Sequence, residues 1–344
     1  MLTVYSDQHR LHAPAFEILD GELTPVFEKP ERADLVLARV RERQLGPVAL
    51  PSSYGLAAAR RVHRDDYLDY LAGAHAEWLA AGHKGDVLPY VYPVRSLRQL
   101  APRHIDGKAG YYAMDASAPI CAGTWQAAQA SLDCALTGLD ALLAGARGAF
   151  ALCRPPGHHA GTDFAGGYCY LNNAAIAAQA WRDAGAAKVA LLDVDYHHGN
   201  GSQAIFYRRA DVVFASIHGH PADEYPFFLG YADERGEGDG LGSNFNYPLP
   251  LGSGFALWRA ALDDACAQIA RSGATALVVS LGVDTFKDDP ISQFKLDSDD
   301  YLRIGERIAA LGVPTLFVLE GGYAVADIGV NAVNVLEGFE SAQR

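Results

Sequence analysis

The chain has 344 residues, 50% of them hydrophobic and 20% charged, with a formal net charge of −13. That length carries one large α/β domain or two ordinary ones, and the acidic balance argues against a nucleic-acid partner, because phosphate backbones require basic surface. No apolar run approaches the ~20 residues that span a bilayer, and the first residues (Met1-Leu2-Thr3-Val4-Tyr5) lack the basic region and apolar core of a signal sequence, so a cytoplasmic protein that does not engage membrane is expected.

The elements are expected to alternate. A short strand at residues 2–5 precedes a helix at 31–44. Between Lys84 and Gly107 the pattern lapses: Pro89, Pro93 and Pro102, with Tyr90 and Tyr92, show no period. A loop this long in a compact domain usually has a function. A helix at 124–144 leads to a strand at 149–153, a helix at 172–184 to a strand at 189–193, and a further strand follows at 212–217. The last third repeats the alternation, with helices at 255–271, 298–311 and 326–340 and strands at 276–283 and 315–319. Continuous apolar strands between helices indicate a parallel sheet covered on both faces. No linker interrupts the pattern, so residues 1–344 read as a single domain. The five cysteines form no CxxC pair, which suits buried thiols in a reducing compartment better than disulfides or a thiolate metal site.

In an open α/β sheet, ligands bind outside the carboxyl ends of the strands. Four such ends here run into chemically loaded segments. Residues 149–153 run into Arg154-Pro155-Pro156-Gly157-His158-His159, and residues 189–193 into Asp193-Val194-Asp195-Tyr196-His197-His198-Gly199-Asn200-Gly201. The strand at 276–283 runs into Asp284, and that at 315–319 into Glu320-Gly321-Gly322-Tyr323. Asp195 and His197 are two apart and point to one side of an extended backbone. With Asp284 they give one imidazole and two carboxylates, leaving open positions on a zinc-like ion for water and substrate. His158 and His159 suit proton transfer near neutral pH; they would also serve as metal ligands in a two-histidine, one-carboxylate set. Tyr323, freed by the Gly-Gly hinge, can donate to a tetrahedral oxyanion. The set describes metal-assisted hydrolysis of an amide.

These motifs, together with Gly166-Gly167-Tyr168-Cys169 and Gly282-Val283-Asp284, resemble the histone deacetylase superfamily in order and spacing, and within it the bacterial acetylpolyamine amidohydrolases. The resemblance implies the arginase/deacetylase fold, a single three-layer α/β domain around a parallel eight-stranded sheet. It implies Zn²⁺ at Asp195, His197 and Asp284, with Fe²⁺ served by the same ligands. It makes His159 the general base, His158 an electrostatic partner or proton donor near the leaving amine, and Tyr323 the oxyanion donor. Asp193 then orients His158, and Asn200 partners His159. A structural K⁺ is implied at Asp193, Asp195, His197, Ser216 and Ile217, partly through backbone carbonyls, and the acyl tunnel at Gly167, Tyr168 and Tyr225. Asn200 stands where many relatives have aspartate; a neutral amide stabilises an imidazolium less than a carboxylate does, so His159 is expected to stay neutral to lower pH. Tyr168 replaces a usual phenylalanine and adds a hydroxyl to the tunnel mouth.

The same resemblance makes the 84–107 insertion a dimerisation loop that narrows the entrance, so that a thin, flexible acetylated amine such as acetylputrescine, acetylcadaverine or acetylspermidine enters and folded protein does not. Asp106, Asp115, Asp223 and Glu224 are candidates to read a distal ammonium, with Asp106 assigned to the tunnel. Tyr90 and Tyr92 are candidate aromatic walls. A homodimer with a small cationic substrate is expected. The alternatives are a deacetylase of acetyl-lysine peptides or other small amides, a catalytically silent binding protein, and a two-metal ureohydrolase of the arginase type. Gly282 and Asn200 lack the additional carboxylates the last would need.

Overall fold

The computed structural model describes residues 1–19 and 21–342. Its ten strands are β1 (Leu2–Val4), β2 (Phe16–Leu19), β3 (Glu22–Pro25), β4 (Val48–Ala49), β5 (Gly148–Ala151), β6 (Val189–Asp193), β7 (Val212–Gly219), β8 (Asn244–Leu249), β9 (Ala276–Leu281) and β10 (Thr315–Leu319). The helices are α1 (Glu31–Glu42), α2 (Asp65–Ala80), α3 (Ile105–Tyr111), α4 (Thr124–Leu143), α5 (Asn173–Asp183), α6 (Asn200–Phe206), α7 (Phe255–Ser272), α8 (Ser298–Ala309) and α9 (Ile328–Ser341). Eight strands form one parallel sheet in the order β4-β1-β5-β10-β9-β6-β7-β8, and β2 and β3 form a separate antiparallel hairpin. The domain is the single α/β unit that the alternation predicts.

The strand period of two explains the layering. Ala149 and Ala151 of β5, Leu191 of β6, Val278 of β9 and Leu316 and Val318 of β10 face one core, with α2, α4 and α5. Phe150, Leu192, Leu277, Val279 and Phe317, from the same strands, face the other, with α1, α7, α8 and α9. The central strands are buried on both sides, which is why they read as unbroken apolar runs. The register keeps their carboxyl ends level: Asp193 pairs with Ser216 and with Ser280, and Leu281 with Leu319. The four loaded segments therefore leave the sheet at one edge.

Six sheet strands match the expected runs to within two residues at each end. The other two are edge strands of poor pattern. β4 has only two residues, and β8 (Asn-Phe-Asn-Tyr-Pro-Leu) carries Pro248, which an edge position tolerates. The expected 84–107 loop is shorter than its sequence limits, because α3 begins at Ile105, where His104 caps the helix by accepting from the Asp106 N–H.

Buried histidines lock the loops behind this edge. His63 Nδ1–H donates to the Gly161 carbonyl at 2.8 Å, and its Nε2 accepts from the Asn172 N–H at 3.0 Å. A second proton would set one donor against another. Burial accordingly pushes His63 down to about 4 and His12 down to about 3. As pH falls below about 6.5 the unfolded chain takes up protons that the folded His63 refuses, so its stabilising contribution is lost toward acid pH. The stability gap between wild type and His63→Gln, from urea midpoints, is expected to narrow by ~2 kcal/mol between pH 7 and pH 5; a constant gap would show that His63 titrates normally.

Candidate active site

β5, β10, β9 and β6 are neighbours in the sheet, so the segments that follow them converge. Asp195, His197 and Asp284 are buried, and each offers a ligand atom within 4.8 Å of the others. His197 Nδ1 lies 3.1 Å from Asp284 Oδ2 and 3.4 Å from Asp195 Oδ1. Backbone amides fix the carboxylates. Asp284 Oδ1 accepts from the Tyr196 N–H at 2.8 Å, Asp195 Oδ1 from the His197 N–H at 2.9 Å, and Asp195 Oδ2 from the Gly321 N–H at 2.8 Å. Among the described residues no lysine or arginine pairs with either carboxylate; their ionic partners are imidazoles. Burial first, then the charge of Asp195, pushes Asp284 up to about 8, as expected of two close carboxylates without a neutralising cation. Two carboxylates and one imidazole nitrogen fit a divalent, zinc-like ion with positions left open.

The adjacent histidines differ in charge. His158 Nδ1–H donates to Asp193 Oδ2 at 3.0 Å, and its Nε2 is 3.8 Å from Asp195 Oδ1. Burial opposes its imidazolium, but Asp195 and then Asp193 outweigh burial and raise the pKa to about 10. The His159 ring centroid lies 4.0 Å from that of His158. Its Nδ1–H donates to the neutral Asn200 Oδ1 at 2.6 Å. Burial, joined by His158 and His197, pushes His159 well below the ordinary histidine range. The surroundings thus favour the charged form of His158 and the neutral form of His159, and the two rings lie side by side.

A cavity of about 320 Å³ opens over this cluster, lined by His159, His197, Gly167, Tyr168, Tyr225, Tyr323, Ile291, Asp115 and Glu224 among others. Tyr225 packs edge-on against His159, with centroids 5.1 Å apart, and its hydroxyl donates to Asp115 Oδ2 at 2.5 Å. The same Asp115 oxygen accepts from the Gly167 N–H at 3.1 Å. Tyr168 and Tyr323 face each other at 5.6 Å, and the Arg32 guanidinium lies 4.7 Å over the Tyr323 ring. Of the acids considered, Asp115 and Glu224 line this cavity. Asp106 does not: its carboxylate is bound by His83 at 2.5 Å and by the Tyr90 hydroxyl at 3.1 Å. Asp223 is exposed and is absent from the lining, as are Tyr90 and Tyr92. Asp193 and Ser216 are buried register partners, and the Ser216 hydroxyl bonds His218 Nδ1 at 2.8 Å. His198 turns away from the cluster, toward Gln203 at 3.1 Å and the His218 ring.

A histone deacetylase domain profile matches residues 26–339. The chain belongs to the histone deacetylase family. It is a hydrolase of that family, and its sequence is 63% identical, over the whole of both chains, to acetylpolyamine amidohydrolase 1 of Pseudomonas aeruginosa. The acetylpolyamine amidohydrolase of Mycoplana ramosa is 51% identical over 98% of this chain and 99% of its own. Among solved structures, the acetylpolyamine aminohydrolase of Burkholderia pseudomallei superposes with a TM-score of 0.95 at 43% identity, covering 99% of each chain. The family fold and the amidohydrolase resemblance expected from the motifs are therefore established.

The sequence reading missed Glu17. It lies on β2 and is buried, its Oε1 accepts from the Phe27 N–H at 3.0 Å, and burial raises its pKa. Only its place in an alternating polar–apolar strand hinted at an inward carboxylate. The reading also placed Gly282 only as a missing acid. In the fold, a Cβ at Gly282 would overlap the Asp195 carboxylate, and one at Gly321 would overlap both Asp195 and Asp284. Gly282→Ala must displace Asp195 and is expected to cost ~1–3 kcal/mol of stability. Gly73→Ala, in helix α2 with open space around it, should gain roughly 0.5–1 kcal/mol. Thermal melts of the two variants check this; a neutral Gly282→Ala would show that the carboxylate is free to move.

Proposed function

We propose that this enzyme hydrolyses the amide of small acetylated polyamines to free amine and acetate. The observation that carries the reading is the cavity itself, a confined, tyrosine-walled pocket with the acids Asp115 and Glu224 in its lining above a charged and a neutral imidazole. An apolar pocket accepts an acyl group and its alkyl chain, and acids along it suit a cationic amine. Tyrosine faces add cation–π attraction. The net charge of −13 draws cations toward the molecule. The names of the relatives support the same substrate class.

Asp195, His197 and Asp284 would hold Zn²⁺, and the donor set serves Fe²⁺ equally. Such an ion supplies an activated water and polarises the amide carbonyl. His159, neutral and oriented by Asn200, takes the proton of the attacking water at Nε2. His158, favoured as an imidazolium by Asp195 and then Asp193, stabilises the developing charge and protonates the leaving amine. The Tyr323 hydroxyl, which has no hydrogen bond to another described residue, donates to the substrate oxygen as it becomes an oxyanion. Asp193, Ser216 and Ile217, with Asp195 and His197, would hold K⁺ behind the catalytic edge. In a competition assay, acetylputrescine and acetylcadaverine are expected to exceed an acetyl-lysine peptide in kcat/KM by at least ~10-fold, a margin worth about 1.4 kcal/mol. A preference for the peptide would replace this reading with a peptide deacetylase.

The insertion loop supports a second copy of the chain as partner. Tyr90, Val91, Val94, Leu97 and Leu100 are all exposed there, at 49% to 69%, more apolar surface than a short loop of a monomer normally leaves in water. Sedimentation velocity is expected to give twice the chain mass of 36.8 kDa at micromolar concentration; a single 36.8 kDa species would remove the dimer.

A further inference from the structure

Tyr323 sits in a stretch with no helix or strand, next to Gly322 at φ +131°. Backbone groups in such a buried stretch must find partners outside secondary structure. The Gly321 N–H donates to Asp195, and the Gly321 carbonyl accepts from the Val283 N–H at 3.0 Å. The Glu320 and Gly322 carbonyls both accept from the Arg32 guanidinium at 2.6 Å. The next two amides both go to one carboxylate. Asp289 Oδ2 accepts from the Tyr323 N–H at 2.7 Å and from the Ala324 N–H at 3.2 Å. Its Oδ1 accepts from the Ile291 N–H at 3.1 Å.

Asp289 is only 7% exposed and makes no salt bridge with any described residue. Burying a carboxylate without a cationic partner is costly unless amides satisfy it, and here three do. They belong to two segments that both line the cavity, through Tyr323 and Ile291. Asp289 is not part of the cavity lining and hydrogen-bonds none of the candidate metal ligands, although its charge is felt by Asp284 and His197. Its place is on the frame that aims the tyrosine.

We propose that Asp289 is a positioning residue. By tying the Tyr323–Ala324 backbone to the Ile291 wall, it holds the tyrosine hydroxyl where the oxyanion forms and fixes that hydroxyl against the acyl end of the pocket. This rests on the reading of Tyr323 as oxyanion donor. With N–H donors on both carboxylate oxygens, an amide at 289 must turn its own NH₂ toward one of them, so Asp289→Asn loosens the frame with almost no change in size.

The test is a double-mutant cycle with Tyr323→Phe, in which kcat, KM, bound metal and melting temperature are measured for each protein. Tyr323→Phe is expected to lose roughly 10²–10³ in kcat. Asp289→Asn is expected to lose ~10–100-fold in kcat, with KM within ~3-fold and metal content unchanged. In the Tyr323→Phe background the same change should cost less than ~2-fold, because the hydroxyl it aims is already absent. If Tyr323→Phe keeps full turnover, the oxyanion assignment itself fails. If that variant loses turnover while Asp289→Asn does not, or if Asp289→Asn costs the same factor in both backgrounds or strips the metal, the positioning role is overturned. Asp289→Ser, which keeps one acceptor, is the second variant; failure of both to fold would make Asp289 a folding residue and overturn the proposal too.

Discussion

Two buried carboxylates, Asp195 and Asp284, share a space in which no lysine or arginine among the described residues partners them. Their mutual repulsion in a dry interior is the constraint around which the site is arranged. Backbone amides from Tyr196, His197 and Gly321 take part of the charge, and the imidazoles of His158 and His197 take more. The parallel sheet makes this geometry available, because level strand ends bring residues some ninety positions apart into contact. What results, two carboxylates and an imidazole aimed at one point, is a donor set suited to a divalent cation.

That same charge differentiates His158 from His159. They are adjacent in sequence and 4.0 Å apart, and both are buried. What separates them is the nearby charge, Asp195 and then the partner Asp193 for His158, against the neutral amide of Asn200 for His159. The charged His158 then suppresses protonation of its neighbour. Two identical side chains are thereby given opposite tendencies to hold a proton by their surroundings alone, a general way of setting proton-transfer roles by environment.

Much of this was legible in the sequence. The central strands are buried on both faces and so announce themselves as apolar runs, and the candidate catalytic groups follow them directly in the chain. The edge strands carried no such signal: β4 is too short, and β8 mixes Asn244, Asn246 and Pro248 with its apolar residues. Helix α2 was missed although Leu68, Leu71 and Trp78 are buried on its inner side, because it lies beside the aperiodic insertion. The acids showed the sharper limit. Asp106 and Asp115 are nine residues apart with similar surroundings in sequence, yet one is bound by His83 and the other forms the cavity wall. Asp289 meets Tyr323 across a separation of 34 residues, and no local pattern encodes such a contact.

The glycine at 282 fixes what this scaffold can become. Arginase-type hydrolysis on a related sheet requires an extra carboxylate at the metal cluster, and position 282, two residues before Asp284, is where it would enter. Here the Asp195 carboxylate already fills the volume that any side chain at 282 would occupy. A side chain at 282 would have to move the Asp195 carboxylate, so a residue larger than glycine there and the present packing of the candidate ligand Asp195 exclude each other.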